Sequence, residues 1–110
     1  MLVVTTPIIQ GKKITEYKGP IFAQVVIGFS LFKSLSAGFR NIVGGRSTSH
    51  EEAAKQARME VMREIVGIAQ QKGANAIIGL TLDFEMISGT QNSNGLLMAK
   101  AFGTAVTVED

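Results

Sequence analysis

The chain contains no cysteine. Disulfides, thiolate metal sites and a thiol nucleophile are thereby excluded, and the lack fits a reducing compartment. Charge is also scarce. Only 18% of the 110 residues are Asp, Glu, Lys or Arg, against 45% hydrophobic, which is apolar for a small protein with much surface to cover. The net charge is +2 and the basic residues are scattered, so there is no nucleic-acid footprint. Long hydrophobic runs are missing as well. The start, MLVVTTPIIQGKK, has no basic n-region and no apolar run long enough for a signal peptide or a membrane span. The expectation is a single domain over residues 1–110, cytoplasmic, whose partners are neither nucleic acid nor membrane.

What is present is organised around one stretch, Gly44 to Gly73. Ser49 reads as an N-cap, with Glu52 completing an S-x-x-E capping box. Glu51 and Glu52 place negative charge where the helix dipole favours it. Lys72 falls in the last turn and Gly73 at the position that adopts positive φ without strain. At about 100° per residue, Ala54, Ala57, Val61, Ile65 and Ile68 form one stripe, with Ala53 and Ala69 at its edges. Met59, Met62 and Val66 lie beside that stripe, and the apolar residues together cover more than a helix on one sheet needs. They read either as scattered surface residues or as contact with a second subunit, and the apolar excess of the chain favours the second.

Around the helix, the sequence predicts short strands at Leu2–Thr5 and Ile14–Tyr17, the second ending at Gly19-Pro20. Ile21–Ile27 predicts a strand apolar on both faces and covered on both. Phe29–Asn41 predicts a short helix, on the spacing of Leu31, Leu35 and Phe39. Ala76–Ile87 alternates strictly, Ser88–Gly95 is a polar loop, and Leu96–Val108 is the last strand. A hairpin pairing Ile87 with Leu96 sets Asp83 opposite Lys100, Glu85 opposite Met98, and Thr81 opposite Phe102. Its other face sets Leu82 and Phe84 against Ala101 and Ala99, a surface on which a helix can settle. The reverse face, with Met98, Phe102, Leu96 and Ile87, is too apolar to be simply solvated. The fold class expected is α+β, an antiparallel sheet packed on one long helix, with extra N-terminal strands and a short helix.

Candidate chemistry is sparse. Gly44-Gly45-Arg46-Ser47 precedes a helix N-terminus, where free amides, the dipole and an arginine could hold phosphate or carboxylate. No Gly-Lys-Ser/Thr follows, so it is not a Walker loop, and a tight turn with Arg46 paired to a carboxylate is the plainer account. His50, Glu51, Asp83 and Glu85 are the only set suited to a hard divalent metal, zinc or manganese. The alternative is an exposed first-turn histidine and carboxylates paired with Lys100 or Arg58. Met59, Met62, Met86 and Met98 could meet a soft ion, but methionine is far more often core or interface filler. No nucleophile or second histidine supports Asp83 and Glu85 as an acid/base pair, so no catalytic residue is assigned.

Several segments together resemble the YbjQ-like family of small bacterial proteins, often labelled heavy-metal-binding. They include Thr5-Thr6-Pro7, Gly11, Tyr17 and Gly19, Ala37-Gly38 and Ile42-Val43-Gly44-Gly45-Arg46-Ser47. Later come Ala57-Arg58, Gly73-Ala74-Asn75-Ala76, Asp83-Phe84-Glu85 and Gly103-Thr104-Ala105-Val106. The resemblance implies a dodecin-subunit-like β-α-β-β core and a ring-like homopentamer, and brings no established activity. Three positions depart from it. Lys18 stands where many members have cysteine, His50 where many have tyrosine, and Ala23-Gln24 where Gly-Glu is common. The lost thiol and carboxylate weigh against soft-metal binding. Met59, Met62, Val66, Met98 and Phe102 are the expected subunit contacts.

Overall fold

The computed structural model describes residues 1–28, 49–87 and 95–110, without the side chains of Ser49 and His50. The short helix expected at Phe29–Asn41, the Gly44–Ser47 loop, nearly all of the Ser88–Gly95 loop and the Ser49 cap lie outside the described residues. The elements in order are β1 (Leu2–Val3), β2 (Lys13–Gly28), α1 (Ser49–Gln71), β3 (Ala76–Ile87) and β4 (Leu96–Glu109). They form one four-stranded sheet in the order β1-β3-β4-β2, with α1 against one face, an α+β fold.

The hairpin has the expected register, with Asp83 beside Lys100, Glu85 beside Met98 and Thr81 beside Phe102. Two expectations about the strands need correction. The sheet is mixed rather than antiparallel, because β1 runs parallel to β3 through Leu2–Ala76 and Val3–Ile77. And the strands expected at Ile14–Tyr17 and Ile21–Ile27 are one strand, unbroken at Gly19-Pro20. The reason is position. β2 is an edge strand, where a proline's missing N–H removes no ladder bond facing outward. Register shifts at Ile14/Glu16 and Tyr17/Gly19, with Gly19 at φ 109°, absorb the irregularity.

Helix α1 buries Ala53, Ala57, Val61, Ile65 and Ala69, each at 0% exposure. The buried set includes Ala57, Val61 and Ile65 of the expected stripe and both of its expected edges, Ala53 and Ala69, while Ala54 and Ile68 are only partly buried. Opposite lie Ala23 of β2 and Ala99, Ala101 and Ala105 of β4, so small residues on both layers let helix and sheet approach closely. The helix lies over β2 and β4 far more than over β3. This is why Phe84, expected beneath it, remains 43% exposed while Leu82 packs on the core.

The turn from α1 into β3 follows from four residues. Gly73, at φ 80°, donates its N–H to Gln70 O at 3.0 Å, and Ala74 donates to Ala69 O at 3.0 Å, a Schellman motif. The helix stops at Gln71, so Lys72 falls just past its last turn rather than in it. The cation near this terminus comes from β2 instead, since Lys18 Nζ lies 3.8 Å from where a Cβ on Gly73 would stand. Asn75 then extends the sheet with its side chain. Its Nδ2 donates to Val108 O at 2.9 Å and its Oδ1 accepts from Val108 N at 2.8 Å. Asn75→Ala strands the Val108 N–H and should cost roughly 1–2 kcal/mol in denaturant unfolding, with Asn75→Asp intermediate because it keeps the acceptor.

Candidate functional site

Cross-strand partners point to the same side of a sheet, so the register builds the reverse face row by row. Phe22, Phe102 and Thr81 form one row, Gln24, Lys100 and Asp83 the next, and Val26, Met98 and Glu85 the third. Leu96 and Ile87 complete it. At one end of this face the chain covers itself, where Val4, Ile9 and Ile14 pack on Ala76, Ile78, Val106 and Val108. At the other end the apolar residues stay open: Phe22 is 52% exposed, Val26 48% and Phe102 41%. The Phe22 and Phe102 rings stack, with centroids 6.4 Å apart and planes within 13°.

Phe22 and Val26 were legible as apolar positions, but the expectation that both faces of their strand are covered fails within the subunit. The face can be recognised only once β2 is known to lie beside β4, which joins its residues to Met98 and Phe102. Charge is placed unevenly on it. Lys100 Nζ lies 3.5 Å from Glu85 Oε2, its diagonal neighbour, although Asp83 stands directly opposite in the register. Asp83 has no ion pair among the described residues.

The expected interface residues separate into two groups. Met98 and Phe102 belong to the reverse face, whereas Met59, Met62 and Val66 lie on α1, on the other side of the sheet. Met62 and Val66 are partly buried against the subunit's own core, and Met59 is 48% exposed. Met86 pairs with Leu97 on the helix side, opposite Met98, so the four methionines do not converge on one ion.

The hard-metal set does not assemble from its described members either. Among the described residues, no three of His, Cys, Asp or Glu come together, so Glu51, Asp83 and Glu85 do not form a site by themselves. His50 opens the helix, with its side chain outside the described residues. Glu51 is exposed in the first turn. The anion loop Gly44, Gly45, Arg46 and Ser47 is likewise outside. Far from this face, a hydrogen bond and the charge of Lys12 hold the Asp110 carboxyl below its usual range. The lowered value makes this contribution present at neutral pH and lost as pH falls through the carboxylate range.

The profile of the YbjQ family, described as "Putative heavy-metal-binding", matches residues 1–109. The chain belongs to the YbjQ family. A UPF0145 protein of Listeria welshimeri is 44% identical over 109 residues, spanning 99% of this chain and 96% of that protein. One of Clostridium botulinum is 43% identical over 109 residues, spanning 99% and 100%. A solved structure of a protein of unknown function from Pediococcus pentosaceus, of the DUF74 family, superposes with a TM-score of 0.64. It is 18% identical and covers 99% of this chain and 98% of its own, so the likeness extends the fold alone. For this YbjQ-family chain, a soft heavy metal does not fit the donors described: cysteine is absent, and the methionines divide between two faces of the sheet. No helix among the described residues is long and apolar enough to cross a membrane.

Proposed function

We propose that this YbjQ-family chain is a cytoplasmic homo-oligomer, a pentamer, that serves as a binding and assembly protein rather than an enzyme. The observation that carries this reading is the uncovered reverse face, where Phe22, Val26 and Phe102 remain 41–52% exposed. Contiguous apolar surface of this kind marks an interaction site. The interface residues are Met98 and Phe102 on the sheet and Met59, Met62 and Val66 on the helix. The family's description points to a metal, and in this reading a divalent metal or small ligand is held by the assembly, not by one subunit's described residues.

The test is native mass spectrometry of protein purified without a metal column. The expected result is a five-subunit mass, with any stoichiometric excess mass identifying the ligand directly. A monodisperse monomer at micromolar concentration overturns the reading. Because Met62 packs partly on its own core, Phe102→Glu is the cleaner disrupting variant. It should shift the mass to the monomer while the far-ultraviolet helix signal is retained.

A further inference from the structure

We propose that residues 81–87 of β3 are a docking edge for an extended segment of another protein, one that alternates apolar and basic side chains and joins the sheet as a further strand. The site is the rim of the sheet rather than its reverse face, so the inference goes beyond the oligomeric reading. Two observations support it, an unguarded strand edge and the chemistry of the side chains along it.

β1 pairs with β3 only at Ala76 and Ile77. The chain after β1 adds three bonds: Val4 N–H donates to Ile77 O, Leu80 N–H to Val4 O, and Gly79 N–H to Thr6 O. Beyond Leu80, nothing among the described residues pairs with that edge. Backbone groups alternate in direction along a strand, so Leu82, Phe84 and Met86 turn their N–H and C=O outward, in step with Leu80. A bare edge of this kind accepts another strand, and proteins guard against that with bulges, proline, lysine or short length. The opposite edge of this sheet is guarded, because β2 carries Lys13, Lys18, Pro20 and two register shifts. Residues 81–87 have no lysine, no proline and an unbroken register, and all but Leu82 are exposed.

The side chains along this edge sort by face. Leu82, Phe84 and Met86 lie on the helix side, but α1 sits over β2 and β4, and Phe84 and Met86 remain 43% and 59% exposed. Asp83 and Glu85 lie on the other side. Glu85 has Lys100 at 3.5 Å, and Asp83 has no ion pair among the described residues. An added strand sends alternate side chains to the two faces, so its apolar residues meet Phe84 and Met86 while its basic residues meet Asp83 and Glu85. The β3 edge of a second copy would set carboxylate against carboxylate, and the β2 edge of a second copy is the guarded one. A basic and apolar segment of another protein satisfies both faces and the outward-turned backbone at once. In strand addition the main chain supplies affinity and the alternate side chains supply specificity.

The experiment titrates the full chain into a fluorescein-labelled, end-capped peptide of alternating lysine and valine, about seven residues long to match a typical strand, and reads fluorescence anisotropy. Saturable binding is expected, at least about tenfold tighter than that of the glutamate–valine counterpart. Two further peptides carry N-methyl groups on alternate backbone amides, one form for each edge of the peptide. At least one of them should lose binding about tenfold or more, because a methylated amide cannot donate to the ladder. Asp83→Lys should weaken the basic peptide and strengthen the acidic one. Position 83 is exposed, and an unchanged far-ultraviolet signal verifies folding. No saturable binding of the basic peptide overturns the proposal, as does equal affinity for the lysine and glutamate forms. Full binding by both N-methylated forms overturns strand addition, and unchanged affinities in Asp83→Lys overturn the placement at this edge.

Discussion

Ile77→Ala is expected to lower stability by roughly 2–5 kcal/mol, measured by denaturant unfolding at fixed protein concentration. Ile77 is fully buried on the helix side of β3, a strand flanked on both edges by others. Its Cγ2 fills a particular space, standing 2.9 Å from where a Cβ on Gly103 would lie. Truncation removes those carbons and leaves a cavity over a glycine that has no side chain to occupy it. Its register partner on β4 is Ala105, too short to move in. The cost should therefore exceed that of an isoleucine whose neighbours can collapse inward. An unchanged denaturant slope with a lowered midpoint would show that stability changed and not the compactness of either state. A loss under 1 kcal/mol would mean that β3 relaxes toward the helix.

Gly103→Ala is the mirror of that change and should cost about 1–3 kcal/mol through overpacking. The added methyl would meet Ile77 Cγ2 at 2.9 Å, Ile78 O at 3.1 Å and the Leu80 Cα at 3.4 Å. Two of these are backbone atoms of β3, brought close by the irregularity between Ile78 and Thr81, where Gly79 turns at φ 62°. A flexible side chain could swing away, but the backbone cannot. The glycine is required for closeness, not for its own dihedrals. It follows that the two substitutions compensate in part, because the volume removed at Ile77 receives the methyl at 103. The double variant should be more stable than the sum of the single losses by 0.5 kcal/mol or more, the scale of coupling between residues in contact. Strict additivity would show that the β3 backbone at Ile78 and Leu80, rather than the Ile77 side chain, blocks the methyl.

The legible parts of the fold were those written in local chemistry. The Gly73 stop of α1 was readable because a positive-φ cap is a one-residue requirement, and the helix ends at Gln71, one residue before the expected Lys72. The β3–β4 register was readable because alternation and one short loop specify it, and every pair expected, from Thr81–Phe102 to Ile87–Leu96, is formed. Asn75 was visible only as part of a family motif. That its side chain acts as one more rung of the ladder depends on where β4 ends, which no local pattern records. Of the candidate site, alternation places Met98 and Phe102 on the reverse face, while that one subunit leaves Phe22 and Val26 uncovered was not legible, because coverage is a property of neighbouring layers.

By itself the sequence determined where the long helix ends, which residues alternate toward it, that no thiol chemistry is available, and to which family the chain belongs. The tertiary structure alone decided that β2 runs through Gly19-Pro20 as an edge strand, that β1 joins β3 in parallel, and that α1 settles over β2 and β4. It also decided that the exposed apolar residues divide between two opposite sides of the subunit. The reason is range. Caps, turns and alternation are set within a few residues, whereas strand order and layer contacts are chosen by which distant surfaces exclude the most water when the whole chain closes.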